Sequence, residues 1–185
     1  GTNPVSAMVC FKNSLPSKKD YRIFTPKTVE GPDDFATMHE VITRRYTRLL
    51  EEEAELPDLI IVDGGKGQLS SACDALKAIG LYGQIPIIGI AKRLEEIYFP
   101  EDSLPLYIDK KSESLKLIQQ LRDEAHRFGI TAHRNKRSKN FIVSQLETMD
   151  GIGKLTAAKL LKAFGTVTAL KEASEDDLAK VLGKM

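Results

Sequence analysis

The spacing of apolar residues changes along this chain, and each change predicts an element. Leu59-Ile60-Ile61-Val62 is an unbroken apolar run without alternation, the pattern of a strand buried on both faces of a sheet. It ends at Asp63, and the glycine-rich Gly64-Gly65-Lys66-Gly67 follows before a helical pattern from Gln68 to about Ile79. Ile85–Ile90 repeats the buried-strand pattern, so strand, helix and strand predict a parallel pair joined by a right-handed crossover. Upstream, Val5–Phe11 and Tyr21–Phe24 read as two short antiparallel strands around the turn residues 13–17. Gly31-Pro32-Asp33-Asp34 then starts a helix whose Phe35, Met38, Val41, Ile42, Tyr46 and Leu49 recur at helical spacing.

Beyond residue 90 the pattern loosens. Ile97-Tyr98-Phe99 and Leu106-Tyr107-Ile108 suggest a short hairpin set off by Pro100 and Pro105. A helix from Ser112 through Leu115, Ile118, Leu121 and Ala125 reaches about Phe128, and His133–Asn140 reads as its tail or a linker. Residues 146–185 carry only helical signals. The organisation expected is α/β over 1–139, a linker at 140–145 and a small all-α unit over 146–185.

Composition narrows the function classes. With 42% hydrophobic and 29% charged residues the chain has an ordinary soluble balance. No apolar run nears the roughly 20 residues that span a bilayer. No secretory signal opens the chain, so a cytoplasmic protein that makes no membrane contact is expected. Cys10 and Cys73 sit in apolar patterns without metal-ligand spacing and read as free thiols. The net charge is only +1, but Arg122, Arg127, Arg134, Lys136, Arg137 and Lys139 gather along one stretch, and Arg44, Arg45 and Arg48 along another. Such stripes fit nucleic-acid binding, and equally fit solvated helix faces.

Three positions invite chemistry. Asp63 closes a buried strand, where open α/β sheets place their sites. Asp34 opens the preceding helix, and His126 lies in Arg122-Asp123-Glu124-Ala125-His126-Arg127. Carboxylates from different elements that converge hold Mg²⁺ or Mn²⁺, and a nearby histidine completes the coordination or moves a proton. Each residue also has a plainer reading: Asp34 as a helix cap, His126 as a packed helix residue, Asp63 as a turn former. The glycine loop lacks the spacing of a P-loop, because Gln68 follows Gly67 directly. In the helical unit, Leu146 to Gly153 followed by Lys154 to Leu161 resembles a helix-hairpin-helix. Its Gly151-Ile152-Gly153 turn would present backbone N–H groups to a phosphate, with Lys154 and Lys159 adding charge. Ser174-Glu175-Asp176-Asp177 looks like the opening of a second such hairpin.

Taken together, GTNPVSAMVCF, GPDDFATM, VITRRY, PDLIIVDGGKGQL, IGIAK and IQQLRDEAHRFGITAHRNKRSK, followed by the hairpin, resemble the C-terminal half of UvrC. That family supplies the incising subunit of the bacterial excinuclease. The resemblance implies a ribonuclease-H-like mixed sheet with helices, followed by a tandem helix-hairpin-helix domain. It implies a DNA endonuclease of nucleotide excision repair that cuts 5′ to a lesion in double-stranded DNA with Mg²⁺ or Mn²⁺, in partnership with UvrB and, upstream, UvrA. It assigns catalysis to Asp63, His126 and Asp34, and metal binding to Asp63 and His126. DNA contacts are expected from Lys66, Arg127, His133, Arg134, Lys136, Arg137, Gly151, Gly153 and Lys154. Two departures accompany the match. The family has a strand ending Phe-Asp-Ile-Ser-His, bearing a principal metal-binding aspartate, just before the position of Gly1. Here the last residues, Gly183-Lys184-Met185, fall inside the second hairpin. A fragment with little or no incision of its own and weakened DNA affinity is therefore expected. The rival expectations are a non-catalytic DNA-binding or scaffold module, and another nuclease of the same fold acting on junctions or RNA.

Overall fold

A computed structural model describes residues 5–29, 31–91, 96–149 and 151–183. Gly1 to Pro4 of the first motif, Lys92 of IGIAK, Asp150 of the hairpin and the final Lys184-Met185 lie outside the described residues. The chain divides into two compact units, Gly1–Ile130 and Thr131–Met185.

In the first unit a four-stranded mixed sheet organises the packing. Its strands are β5 (Ile60–Asp63), β6 (Ile87–Ile90), β7 (Glu96–Tyr98) and β8 (Leu106–Tyr107), side by side in that order. β5 and β6 run parallel, with Asp63 opposite Ile90, because helix α2 (Lys66–Ala78) carries the chain back between them. β6, β7 and β8 follow as antiparallel neighbours, and the hairpin expected at 97–108 is present. Alternation along the strands separates two cores. Ile60, Val62 and Ile87 pack with Leu69, Ala72, Cys73 and Leu76 of α2, and with Ile42, Tyr46 and Leu49 of helix α1 (Asp34–Glu51). Ile88, Ile90 and Ile97 point the other way, onto Ile118 of helix α3 (Glu113–Glu147). All four residues of β6 are buried, as an uninterrupted apolar run requires. β5 is shorter than its apolar run suggests, since Leu59 is exposed and the strand starts at Ile60.

The N-terminal strands differ from expectation in one respect. β1 (Ser6–Met8) pairs antiparallel with β4 (Arg22–Phe24), as the pattern implied. Inside their connection, however, β2 (Phe11–Lys12) and β3 (Leu15–Pro16) form a second, two-residue ladder. Asn13 and Ser14 turn between them at positive φ, a conformation that Asn tolerates better than most residues. Tyr21 fixes this assembly to α3. Its ring meets Phe128 at 5.1 Å between centroids, and its hydroxyl donates to Glu124 at 3.0 Å.

Two helix boundaries also move. α2 begins at Lys66 rather than Gln68, with Gly65 as its N-cap. α3 extends to Glu147, so 140–145, read from the sequence as a linker, is helical. The second unit adds α4 (Lys154–Phe164), α5 (Val167–Lys171) and α6 (Glu175–Leu182). Among its described residues Leu146, Ala157 and Leu160 are buried, and Ala157 has no exposed surface. Ser174 caps α6, its hydroxyl oxygen accepting the Asp177 N–H at 3.2 Å. Among the described residues no helix is long and apolar enough to cross a membrane.

Candidate functional site

Asp63 is the last residue of β5, where strand pairing ends and the chain turns into α2. Tight packing shapes that turn. A methyl group on Gly89 of β6 would lie 2.9 Å from the Gly64 carbonyl oxygen, so the strand beside Asp63 must be bare there. A methyl group on Gly67 would lie 2.5 Å from Cε1 of Phe35, whose ring covers the first turn of α2. The Ser71 hydroxyl donates to the Phe35 carbonyl at 2.6 Å and fastens the two helices further. These contacts set the first turn of α1 beside the first turns of α2, at the carboxyl end of β5. Asp34 is in that turn, exposed, as the first helical residue. The cap is Asp33, whose Oδ1 accepts the Phe35 and Ala36 N–H groups at 3.0 and 2.9 Å. Asp34 is therefore spared the capping role that was its plainer reading.

The Asp63 side chain is 53% exposed, and the Arg122 Nε–H donates to its Oδ1 at 3.1 Å. This contact joins β5 to α3 across 59 residues of sequence. His126 lies one helical turn after Arg122, on the same side of α3, and is exposed. A face of α3 carrying Arg122 and His126 thus borders the carboxylate at the strand end. Arg122 belonged to the basic stripe in the sequence but was not singled out. The signal available was its i, i+4 spacing from His126.

Other expected contacts are placed differently. Lys66 sends its ammonium to the Ser103 carbonyl and lies 5.6 Å from the centre of the Tyr98 ring, so it leans on the β7–β8 hairpin. Arg127 bonds Glu124 with two nitrogens at 2.7 Å each, and this pairing holds the Glu124 carboxyl below its usual range. Much of the Arg127 charge is therefore spent on Glu124, beneath Tyr21.

Asp63 offers hard oxygen at an exposed strand end, with Oδ2 as its second acceptor. Mg²⁺ and Mn²⁺ suit such a donor, because Mg²⁺ usually keeps several waters and uses one or two carboxylates together with substrate phosphates. Among the described residues no three His, Cys, Asp or Glu side chains converge on one point. The donors at hand therefore fit a cation held partly by water and substrate, not one enclosed by protein.

In the second unit, Gly151 adopts φ +83° in the turn before α4, where a side chain would be strained. Gly153 is the N-cap of α4 and supplies no side-chain bond, which leaves the first N–H groups of that helix facing outward with Lys154. His133, Arg134, Lys136 and Arg137 lie in the part of α3 that belongs to this unit, with Arg134 and Arg137 exposed.

Comparison with known proteins gives these features a family. Residues 1–130 match the model described as the UvrC RNAse H endonuclease domain, and residues 143–184 match a SAM-like helix-hairpin-helix tandem. The chain is 66% identical over 183 residues to UvrABC system protein C of Christiangramia forsetii, covering 99% of this chain and 31% of that protein. It is 62% identical to the Cytophaga hutchinsonii protein of the same name over 184 residues, again 99% of this chain and 31% of the relative. For a Porphyromonas gingivalis protein of that name the identity is 60% over the same length, with 100% and 31% covered. The chain spans about a third of the length of these curated relatives. An α/β unit with a mixed sheet, followed by a helical unit with a glycine hairpin, is thus matched by sequence along almost its whole length: the chain belongs to the UvrC family, as a ribonuclease-H endonuclease domain joined to a helix-hairpin-helix region.

Proposed function

We propose that this chain is the DNA-cutting part of a nucleotide excision repair excinuclease, hydrolysing one phosphodiester 5′ to a lesion in double-stranded DNA. The observation that carries this reading is the Asp63 carboxylate, exposed at the end of a buried strand and tied to the α3 face that bears His126. The relatives' name, UvrABC system protein C, supports UvrA and UvrB as the proteins it works with, and the cytoplasm is the compartment proposed for that work.

Asp63 and His126 would hold a divalent cation, Mg²⁺ or Mn²⁺. When bound, that ion supplies Lewis-acid stabilisation of the phosphoryl oxygens and a more acidic water. Asp63 contributes a fixed negative charge whose direction its Arg122 bond sets. Alternatively His126, exposed on its helix, leaves the cation to Asp63 and serves as a proton carrier for the attacking water or the leaving oxygen. Asp34 adds negative charge at the same end of the sheet, from the first turn of α1. The turn at Gly151–Lys154 grips a backbone phosphate through N–H groups and so holds the duplex without reading its bases. The exposed Arg134 and Arg137 contribute salt-dependent attraction.

The test is nicking of lesion-bearing and undamaged duplex by this segment within the full-length frame of its relatives, with UvrA and UvrB present. Cutting confined to the damaged duplex, lost in Asp63→Ala with DNA binding kept, is the expected outcome. A fully active Asp63→Ala protein would overturn the assignment.

A further inference from the structure

Arg122 is the partner of Asp63, yet the incision chemistry above asks nothing of it beyond direction. Its side chain is only 24% exposed, against 53% for the carboxylate it meets. The side of α3 that carries it is anchored on both flanks. Leu115 and Ile118 are buried before it, and a methyl group on Gly129, two turns after it, would touch Cβ of Ala7 at 3.3 Å. The guanidinium therefore rises from a fixed base to an exposed anion.

We propose that Arg122 is a positioning residue which sets both the direction of the Asp63 carboxylate and how tightly that carboxylate takes a divalent cation. This rests on the reading of Asp63 as a cation-holding group. Two physical effects act together. The Nε–H bond engages Oδ1, and a planar guanidinium fixes direction in a way that a lysine ammonium does not. At the same time a permanent positive charge a few ångströms from the carboxylate repels a second cation. In this arrangement the protein donors by themselves bind Mg²⁺ or Mn²⁺ weakly, and occupancy rises when a DNA phosphate brings further negative charge and further oxygen ligands. The pair thus disfavours a loaded site away from the substrate.

The experiment compares wild type, Arg122→Gln, Arg122→Lys and Asp63→Ala in the full-length frame. Mn²⁺ binding without DNA is read from the spin-resonance signal of the free ion, and nicking is followed against Mg²⁺ concentration. Removing one screened unit charge roughly 6 Å from a divalent ion predicts about tenfold tighter Mn²⁺ binding in Arg122→Gln. Its nicking at saturating Mg²⁺ should fall, because the carboxylate is no longer directed. Arg122→Lys keeps the charge, so its Mn²⁺ affinity should match wild type while its nicking falls. Equal Mn²⁺ affinity and equal nicking in wild type and Arg122→Gln, with Asp63→Ala still losing both, would overturn the role of Arg122 alone. Retention of both by Asp63→Ala would instead remove the reading on which the role rests.

Discussion

The two units present their functional groups by opposite means. At the end of β5 a side chain is held by packing: Asp63 stands on a strand whose neighbour β6 is wholly buried, and Gly67 and Gly89 make room for Phe35 and a carbonyl around it. In the hairpin before α4 the groups on offer are backbone N–H groups, released by Gly151 and Gly153, with few buried residues beneath them. A carboxylate that must meet a partner from a distant helix needs a rigid core. A phosphate grip needs only a turn of the right shape, since one helix N-terminus already attracts an anion. The first region should therefore be sensitive to core and close-contact substitutions, and the second to charge and turn geometry.

The largest expected effect separates the units directly. Leu76 is fully buried between α2 and the sheet, so Leu76→Ala should destabilise the first unit by about 2–5 kcal/mol. Calorimetry should show its transition falling while the transition of the second unit stays. A joint fall would erase the contrast. Next come the bare positions beside Asp63. Gly89→Ala drives a methyl group against backbone, whereas in Gly67→Ala it meets the rim of a half-exposed Phe35 ring that can turn aside. Overpacking of this kind costs about 1–3 kcal/mol, with Gly89→Ala toward the upper end, and Phe35→Leu should rescue Gly67→Ala but not Gly89→Ala in urea melts.

Acid should act on the first unit through Glu40. Burial alone would raise its carboxyl pKa, but the Thr28 hydroxyl, the Thr28 and Lys27 N–H groups and Arg44 bond it and lower that pKa from 4.5 to about 2. A depressed carboxyl stabilises the fold fully above its unfolded value, and the gain disappears as pH falls from 4.5 through 2. Glu40→Gln should flatten the pH dependence of melting over that window; an unchanged slope would contradict it. The smallest effect belongs to the hairpin. Lys154→Ala should weaken DNA binding similarly across sequences and reduce the slope of affinity against salt by about one ion, without moving either melting transition.

Much of this was legible in the residues. The unbroken apolar runs mark β5 and β6 as strands covered on both faces, and the helix between them implies their parallel pairing. The hairpin was visible because its glycines have a defined backbone task. What the sequence hides is which partner each polar side chain takes. No local pattern shows that Asp33 caps α1 while Asp34 stays free, or that Lys66 leans on Ser103 and Tyr98. Nor does the basic stretch around Arg127 show that Glu124, three residues earlier, engages its guanidinium. Arg122 is hidden by distance along the chain, its partner Asp63 lying 59 residues away at the end of β5. The β2–β3 ladder escaped because two-residue strands have no period to detect.

The central claim is that Asp63 and the His126 face of α3 border one cation-binding end of the sheet. Diffraction from crystals soaked in Mn²⁺, recorded at the metal's absorption edge, tests it most directly. An anomalous peak within coordination distance of an Asp63 carboxylate oxygen, on the side facing His126, is the predicted result. Mn²⁺ bound elsewhere with none at Asp63, at a concentration that supports nicking, would contradict the account.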